Sequence, residues 1–312
     1  MVDKIINNIE KVILGKTQEI KLVLSAFLAD GHVLLEDVPG TGKTMLAKAL
    51  AKSFSFDFSR IQFTPDLLPS ELTGINFYSP KTGEFTFRKG SLFANIVLAD
   101  EINRATPRTQ SGLLESMEEK QITVDGKTYE LDRPYFVIAT QNPIETQGTF
   151  PLPEAQLDRF LLKLSLGYPG KKESINVLKQ TVNSKPLESL ESVCTLADYE
   201  KMKTNVKNVF IHDDVYNYIV ELAEATRQHE NVALGISIRG ALALAKLSQA
   251  YAAIEGRDFV TPTDVRHLLP YAFEHRMILK GGLKNRKSAV ESVLKEVVES
   301  VTVPTENWKN VK

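Results

Sequence analysis

Five short apolar runs mark the first half of the chain: HVLLED (32–37), FSRIQF (58–63), NIVLAD (95–100), YFVIAT (135–140) and LKLSL (162–166). Helical or irregular stretches separate them. Strand-length apolar runs spaced in this way predict a parallel α/β sheet, whose strands are covered on both faces. GYPG at 167–170 then breaks the chain, and from Lys171 onward helical periodicity dominates with no strong strand. Residues 237–254 are rich in Ala and Leu and long enough for a buried helix. Thr261-Pro262-Thr263-Asp264 reads as an N-cap, a first-turn proline and an acid at the third position. The pattern predicts an α/β domain over residues 1–168 and an all-helical lid over 169–312.

Two segments interrupt the α/β half. ITVDGKTYEL (122–131) sets Asp125-Gly126 between alternating apolar residues, the signal of a tight hairpin. Residues 74–88 carry Pro80-Lys81-Thr82-Gly83 between Phe77-Tyr78 and Phe85-Phe87, which predicts a second hairpin. Both read as insertions, at about 72–90 and about 120–132, and serve either as contact elements or as structural decoration. Lys81 and Lys127 at their tips are candidates for contact with another molecule.

Chemistry concentrates where two of the apolar runs end. Residues 33–44 read VLLEDVPGTGKT, a strand, a Gly-rich turn and a Lys-Thr pair opening an Ala/Leu-rich helix. A polyphosphate needs several backbone N–H groups aimed inward, which Gly40 and Gly42 allow by accepting dihedrals that a Cβ would oppose. It also needs a mobile cation, Lys43, for the β/γ oxygens and a hydroxyl, Thr44, for Mg²⁺ beside a helix N-terminus. The nucleotide-binding loop therefore comprises Asp37, Val38, Pro39, Gly40, Thr41, Gly42, Lys43, Thr44 and Met45. Asp37 stands where the usual pattern has its first glycine, so its carboxylate must point away from the phosphates. NIVLADE (95–101) ends in two adjacent acids, which a parallel sheet delivers to the same edge as the phosphate turn. Asp100 is placed to hold Mg²⁺ through water, and Glu101 to polarise the water that attacks the γ-phosphate of ATP.

Composition narrows the setting. With 312 residues and 43% hydrophobic content the chain can bury a full core in two domains. A formal net charge of −1 and a pI of about 6.6 supply no overall field for nucleic acid or an anionic membrane. A single cysteine, Cys194, excludes an intramolecular disulfide and a Cys-based metal cluster, fits a reducing compartment, and is expected to act as packing. Asp3, Lys4, Glu10 and Lys11 interrupt the N-terminal apolar residues, so neither a signal peptide nor a membrane span is expected there, and the cytoplasm is the expected location. His32, His212, His229, His267 and His275 are scattered without ligand spacing, and no structural metal is expected.

With these motifs in order, the chain resembles the MoxR group of AAA+ ATPases over nearly its whole length. The resemblance rests on LLEDVPGTGKT (34–44), FTPDLLPSELTG (63–74), LFANIVLADEINRA (92–105) and ATQNPIETQGTFPLPEAQLDRF (139–160). It implies a P-loop AAA+ core with a C-terminal helical lid, and further roles for single residues. Asn142 resembles the first sensor, an amide that orients the attacking water or contacts the γ-phosphate; the alternative is an Asn capping the turn before Pro143. Arg159 in LDRF resembles the arginine finger that acts on a neighbouring subunit's nucleotide, the alternative being a salt bridge to Asp158 or Glu154; Arg104 and Arg108 could share the trans role. Arg239 in SIRGALAL resembles the second sensor, with a solvated helix-end arginine as the alternative, and Gly15 resembles the turn near the adenine pocket. A trans-acting arginine implies a ring, a hexamer in this family. The resemblance further implies chaperone-like remodelling or maturation of other proteins, with von Willebrand factor A domain partners or metalloenzyme clients. Two rivals stay open: a nucleic-acid motor or magnesium-chelatase-like subunit of the same branch, and a non-hydrolysing nucleotide switch. The chain lacks an aromatic-plus-basic single-strand platform, and the intact Glu101 disfavours the switch.

Overall fold

A computed structural model describes residues 1–81, 83–143, 148–183, 185–281 and 286–304. Thr82, in the turn of the 74–88 hairpin, and residues 144–147 of the ATQNPIETQGTF string lie outside the described residues. In chain order the helices are α1 (Val2–Glu10), α2 (Thr17–Leu28), α3 (Lys43–Phe54), α4 (Pro69–Thr73), α5 (Pro107–Glu119), α6 (Glu154–Leu157), α7 (Lys171–Asn183), α8 (Leu196–Lys207), α9 (Asp213–Gln228), α10 (Ile238–Ile254), α11 (Pro262–Phe273) and α12 (Arg286–Ser300). The strands are β1 (Val33–Glu36), β2 (Phe58–Gln62), β3 (Gly74–Ser79), β4 (Glu84–Lys89), β5 (Ile96–Asp100), β6 (Gln121–Val124), β7 (Lys127–Glu130), β8 (Phe136–Gln141), β9 (Leu162–Leu164), β10 (Val232–Leu234) and β11 (Ile278–Leu279).

The five apolar runs form one sheet in the order β2-β5-β8-β1-β9, with β2–β5, β5–β8 and β1–β8 paired in parallel. Parallel pairing explains why β1, β5 and β8 are apolar without alternation: both of their faces are covered, and Ile96, Val97, Leu98 and Ala99 are completely enclosed. On one face Leu34, Val97, Ala99 and Val137 pack with Leu113, Leu114 and Met117 of α5. Elsewhere Phe27 of α2 meets Phe54, Phe136 and Tyr199 with ring centroids 5.3, 5.0 and 4.8 Å away. Each large apolar side chain so enclosed contributes about 1.5–3 kcal/mol relative to exposure. His32, just before β1, is a polar side chain among them; it donates from Nε2 to the carbonyl of Met117 at 3.0 Å and accepts at Nδ1 from the Val137 N–H at 3.0 Å.

The order of the strands sets the site. β8 lies between β5 and β1, so the residue that follows β8 falls between the phosphate turn after β1 and the acids at the end of β5. Away from this edge, β3 pairs with β4 and β6 with β7 as antiparallel hairpins. Asp125 (φ 49°) and Gly126 (φ 78°) both take positive φ, the two-residue turn whose twist matches that of the strands it joins. The hairpins touch each other: Phe87 stacks on Tyr129 at 4.1 Å and 12°, and Asn76 Nδ2 donates to Asp125 Oδ2 at 2.8 Å.

The chain divides into two compact units, Met1–Phe160 with Leu164–Lys201, and Leu161–Lys163 with Met202–Lys312. Helix α7, which follows the GYPG break, belongs to the first. In the second, α10 buries Leu244, Leu247 and Ala250, and Thr261 caps α11 by accepting from the Asp264 N–H at 3.3 Å while Asp264 accepts from the Thr261 N–H at 2.8 Å. Among the described residues from Met202 onward, the second unit is mainly helical and also holds the antiparallel β10–β11 pair. That pair corrects the all-helical expectation; strands of three and two residues are too short for a period-two alternation to register.

Candidate active site

Between β1 and α3 the chain makes the turn a phosphate cradle needs. Gly40 (φ 85°) and Gly42 (φ 93°) both lie in the left-handed region, and α3 starts immediately afterwards at Lys43. Thr44 and Met45 are therefore in its first turn, where unpaired N–H groups and the helix dipole favour an anion. Lys43 Nζ donates to the Asp37 carbonyl at 2.8 Å and the Val38 carbonyl at 3.3 Å, across the loop it completes. The Asp37 carboxylate is turned away from the loop and accepts from Ser165 Oγ, the Leu166 N–H and the Gly167 N–H.

A cavity of about 480 Å³ adjoins the loop, large enough for a nucleoside. Gly40, Thr41, Gly42 and Met45 of the loop line it, together with Ile13, Leu14 and Lys16 and with Pro169, Val177 and Leu187. Gly15 (φ 71°) lies in the chain between the lining residues Leu14 and Lys16. A Cβ there would stand 2.5 Å from Glu173 Cγ of α7, so both conformation and space select glycine.

The paired acids are held in a network that sequence reading missed. Asp100 Oδ1 accepts from Thr140 Oγ1 at 2.7 Å, and Oδ2 accepts from Arg60 Nη2 at 2.7 Å. Thr140 Oγ1 also accepts from the Glu101 N–H at 2.8 Å. That bond supports Glu101 in the left-handed region (φ 56°, ψ 51°), an uncommon conformation for a residue with a Cβ. Glu101 Oε2 accepts from Gln62 Nε2 at 2.9 Å and pairs with Arg104 Nε at 3.0 Å. Arg60 and Gln62 were legible as the polar positions of the alternating run FSRIQF, and Thr140 as the one hydroxyl in YFVIAT. The register Gln62↔Asp100 brings them to the acids. Asn142, one residue past β8, is buried at 6% exposure, and its neighbour Gln141 accepts at its carbonyl from the Asp37 N–H at 3.2 Å.

This arrangement can be set beside known proteins. Residues 32–162 match the family described as "ATPase family associated with various cellular activities (AAA)", and residues 224–297 match the "AAA lid domain". Chaperone MoxR1 of Mycobacterium tuberculosis is 36% identical over 98% of this chain and 83% of its own length. The chain belongs to the MoxR family of AAA+ ATPases. YeaC of Bacillus subtilis is 51% identical over 98% of the chain and 96% of its own length. The crystal structure of a provisionally assigned ATPase from Cytophaga hutchinsonii superposes with a TM-score of 0.89 at 35% identity, covering 97% of this chain and 95% of that one.

In this MoxR-family ATPase the arginines lie at separate places. Arg159 Nε pairs with Glu118 of α5 at 3.1 Å, a more distant carboxylate than the sequence neighbours Asp158 and Glu154 considered as its alternative partners. Arg108 is exposed at the start of α5. Arg239, exposed, is the second residue of α10 in the other unit, behind the cap that Ser237 makes by accepting from the Gly240 N–H at 3.2 Å. The donor set near the loop suits Mg²⁺: among the described residues Oδ1 of Asp100 accepts one hydrogen bond, from Thr140, and its second lone pair can take a metal-bound water, with the Thr44 hydroxyl in the first turn of α3. Among the described residues no group of three His, Cys, Asp or Glu side chains could hold a metal by itself, and no helix is long and apolar enough to cross a membrane.

Proposed function

We propose that this ATPase hydrolyses Mg²⁺-bound ATP at the sheet edge and uses the cycle for chaperone-like remodelling or maturation of a partner protein. The observation that carries the reading is that three neighbouring parallel strands lead at one edge to Asp100 and Glu101 at the end of β5, to Asn142 after β8 and to the turn before Lys43 after β1. The relative named a chaperone supports the coupling to other proteins.

Lys43 leaves the Asp37 and Val38 carbonyls for the β/γ oxygens, gaining charge-assisted bonds in place of neutral ones. Thr44 and Asp100 would hold Mg²⁺, which supplies charge neutralisation on the phosphate oxygens. Glu101 takes the proton of the attacking water, and the P–O bond to ADP breaks as the new bond to phosphorus forms. Asn142 orients that water or contacts the γ-phosphate. Gly15 and its neighbours receive the adenine. Arg159, Arg104 or Arg108 acts in trans, which requires a ring of identical subunits, taken here as a hexamer. Arg239 serves as the second sensor in this reading, coupling hydrolysis to movement of the helical lid. The partner is a von Willebrand factor A domain protein or a metalloenzyme subunit, and the single cysteine fits a cytoplasmic setting.

Calorimetry and phosphate release on two variants test the site. Lys43→Ala is expected to lose ATP binding, and near-normal affinity would contradict the loop assignment. Glu101→Gln is expected to bind ATP with turnover lowered by about 10²-fold or more, and unchanged turnover moves the base elsewhere. Affinity capture with Glu101→Gln and ATP, against Lys43→Ala, then tests the coupling. Recovery of a specific protein partner supports it, whereas recovery of nucleic acid with replication proteins replaces it with a motor.

A further inference from the structure

Asp37 is the one residue of the phosphate loop that departs from the usual pattern, and every polar group it carries is engaged. Its N–H donates to the Gln141 carbonyl at 3.2 Å, next to Asn142. Its carbonyl accepts from Lys43 Nζ at 2.8 Å. Its carboxylate, on a residue only 4% exposed, accepts from Ser165 Oγ at 2.7 Å, the Leu166 N–H at 2.6 Å and the Gly167 N–H at 3.1 Å. A glycine could supply the first two contacts but not the third set.

The segment the carboxylate holds is two residues from the nucleotide cavity. Gly167 leads through Tyr168 to Pro169, which lines the cavity, and then to α7, whose Val177 and Gln180 line it as well. α7 is anchored at its start, where Ser174 Oγ donates to the Pro169 carbonyl at 3.2 Å and the Ser174 N–H to the Gly170 carbonyl at 2.8 Å. Two N–H donors and a hydroxyl on one buried carboxylate make a charge-assisted clasp, stronger than neutral hydrogen bonds. Removing the acceptor would strand two backbone donors near the end of β9.

We propose that Asp37 is a positioning residue that fastens the phosphate loop to the Pro169–α7 wall of the nucleotide cavity, which meets the adenine turn at Gly15 through Glu173, so that base and phosphates are presented in one fixed relation. The proposal rests on the reading of this cavity as the ATP site and adds what the aspartate does for it. Its consequence is selective: the clasp matters for a ligand that bridges base wall and phosphate loop, and little for a bare polyphosphate that touches the loop alone.

Calorimetric titration with ADP and with inorganic tripolyphosphate separates the cases, on the wild-type chain, Asp37→Asn, Asp37→Gly and Ser165→Ala. Asparagine keeps the shape but puts an amide donor against donors. Asp37→Asn and Asp37→Gly are expected to weaken ADP about tenfold or more while tripolyphosphate stays within about twofold. Ser165→Ala, which removes one of the three donors and leaves the backbone contacts, is expected to weaken ADP about threefold and keeps the test open if the Asp37 variants do not fold. Unchanged ADP affinity in the folded variants, or equal loss of both ligands, overturns the proposal. A wild-type chain that binds neither ligand overturns the ATP-site reading beneath it. Lost ADP binding only in the variants with tripolyphosphate retained supports both.

Discussion

His32 should make the ATPase unit acid-sensitive, and the size of the effect follows from its surroundings. The ring lies just before β1, almost fully enclosed, with Nε2 donating to the Met117 carbonyl and Nδ1 accepting from the Val137 N–H. Burial holds its pKa down at about 4 from the usual 6.5; the Met117 carbonyl opposes the fall, Lys120 adds to it, and Asp30 opposes it. A proton on Nδ1 would also cost the bond from Val137. The sign is that of a depressed pKa. Above pH 6.5 the ring is neutral folded and unfolded, and no stability is lost. Below it the unfolded chain binds a proton that the folded chain refuses, so stability falls until the folded ring itself protonates near pH 4. The full difference corresponds to about 3 kcal/mol, of which about 2 kcal/mol is lost between about pH 7 and pH 4.5. Carboxylates titrate in the same range, so the comparison must be with His32→Gln, which offers a donor and an acceptor but no titration. Urea unfolding followed by circular dichroism across that range is expected to show the stability gap between the two proteins shrinking by about 2 kcal/mol toward acid. A gap that does not change with pH refutes the reasoning.

Thr140→Val removes the hydroxyl that serves both the Asp100 carboxylate and the Glu101 N–H at nearly constant volume. It is expected to destabilise by about 1–3 kcal/mol and to lower turnover at least about tenfold with ATP affinity nearly kept; chemical denaturation and steady-state phosphate release check both, and wild-type turnover sinks the role. Cys194 is buried and its thiol is pushed up to about 11, chiefly by desolvation, so a disulfide reagent near neutral pH should label the native chain about a hundredfold more slowly than the urea-unfolded chain. Equal rates would mean the thiol is accessible.

Parts of this molecule were legible in the sequence for a physical reason: a strand buried on both faces must be apolar throughout. Thus HVLLED, NIVLAD and YFVIAT could be read as sheet strands, and their parallel pairing then fixed a common edge for the phosphate turn, the paired acids and Asn142. Asp125-Gly126 was equally plain, because a two-residue turn with two positive φ values narrows the choice of residues. What escaped was cross-strand pairing of polar groups. Arg60 and Gln62 read as the outward face of an alternating strand, and only the register Gln62↔Asp100 turns them toward the acids. The partner of Arg159 escaped for a similar reason, since Glu118 is distant in sequence and no local spacing points to it. Asp37 shows the limit most clearly. That its carboxylate must avoid the phosphates follows from charge alone, yet its destination at Ser165, Leu166 and Gly167 depends on β9 lying beside β1. An apparent defect in a phosphate-binding pattern becomes a tertiary contact once the sheet order is known, so the residues that bind and the residues that position cannot be separated by motif alone.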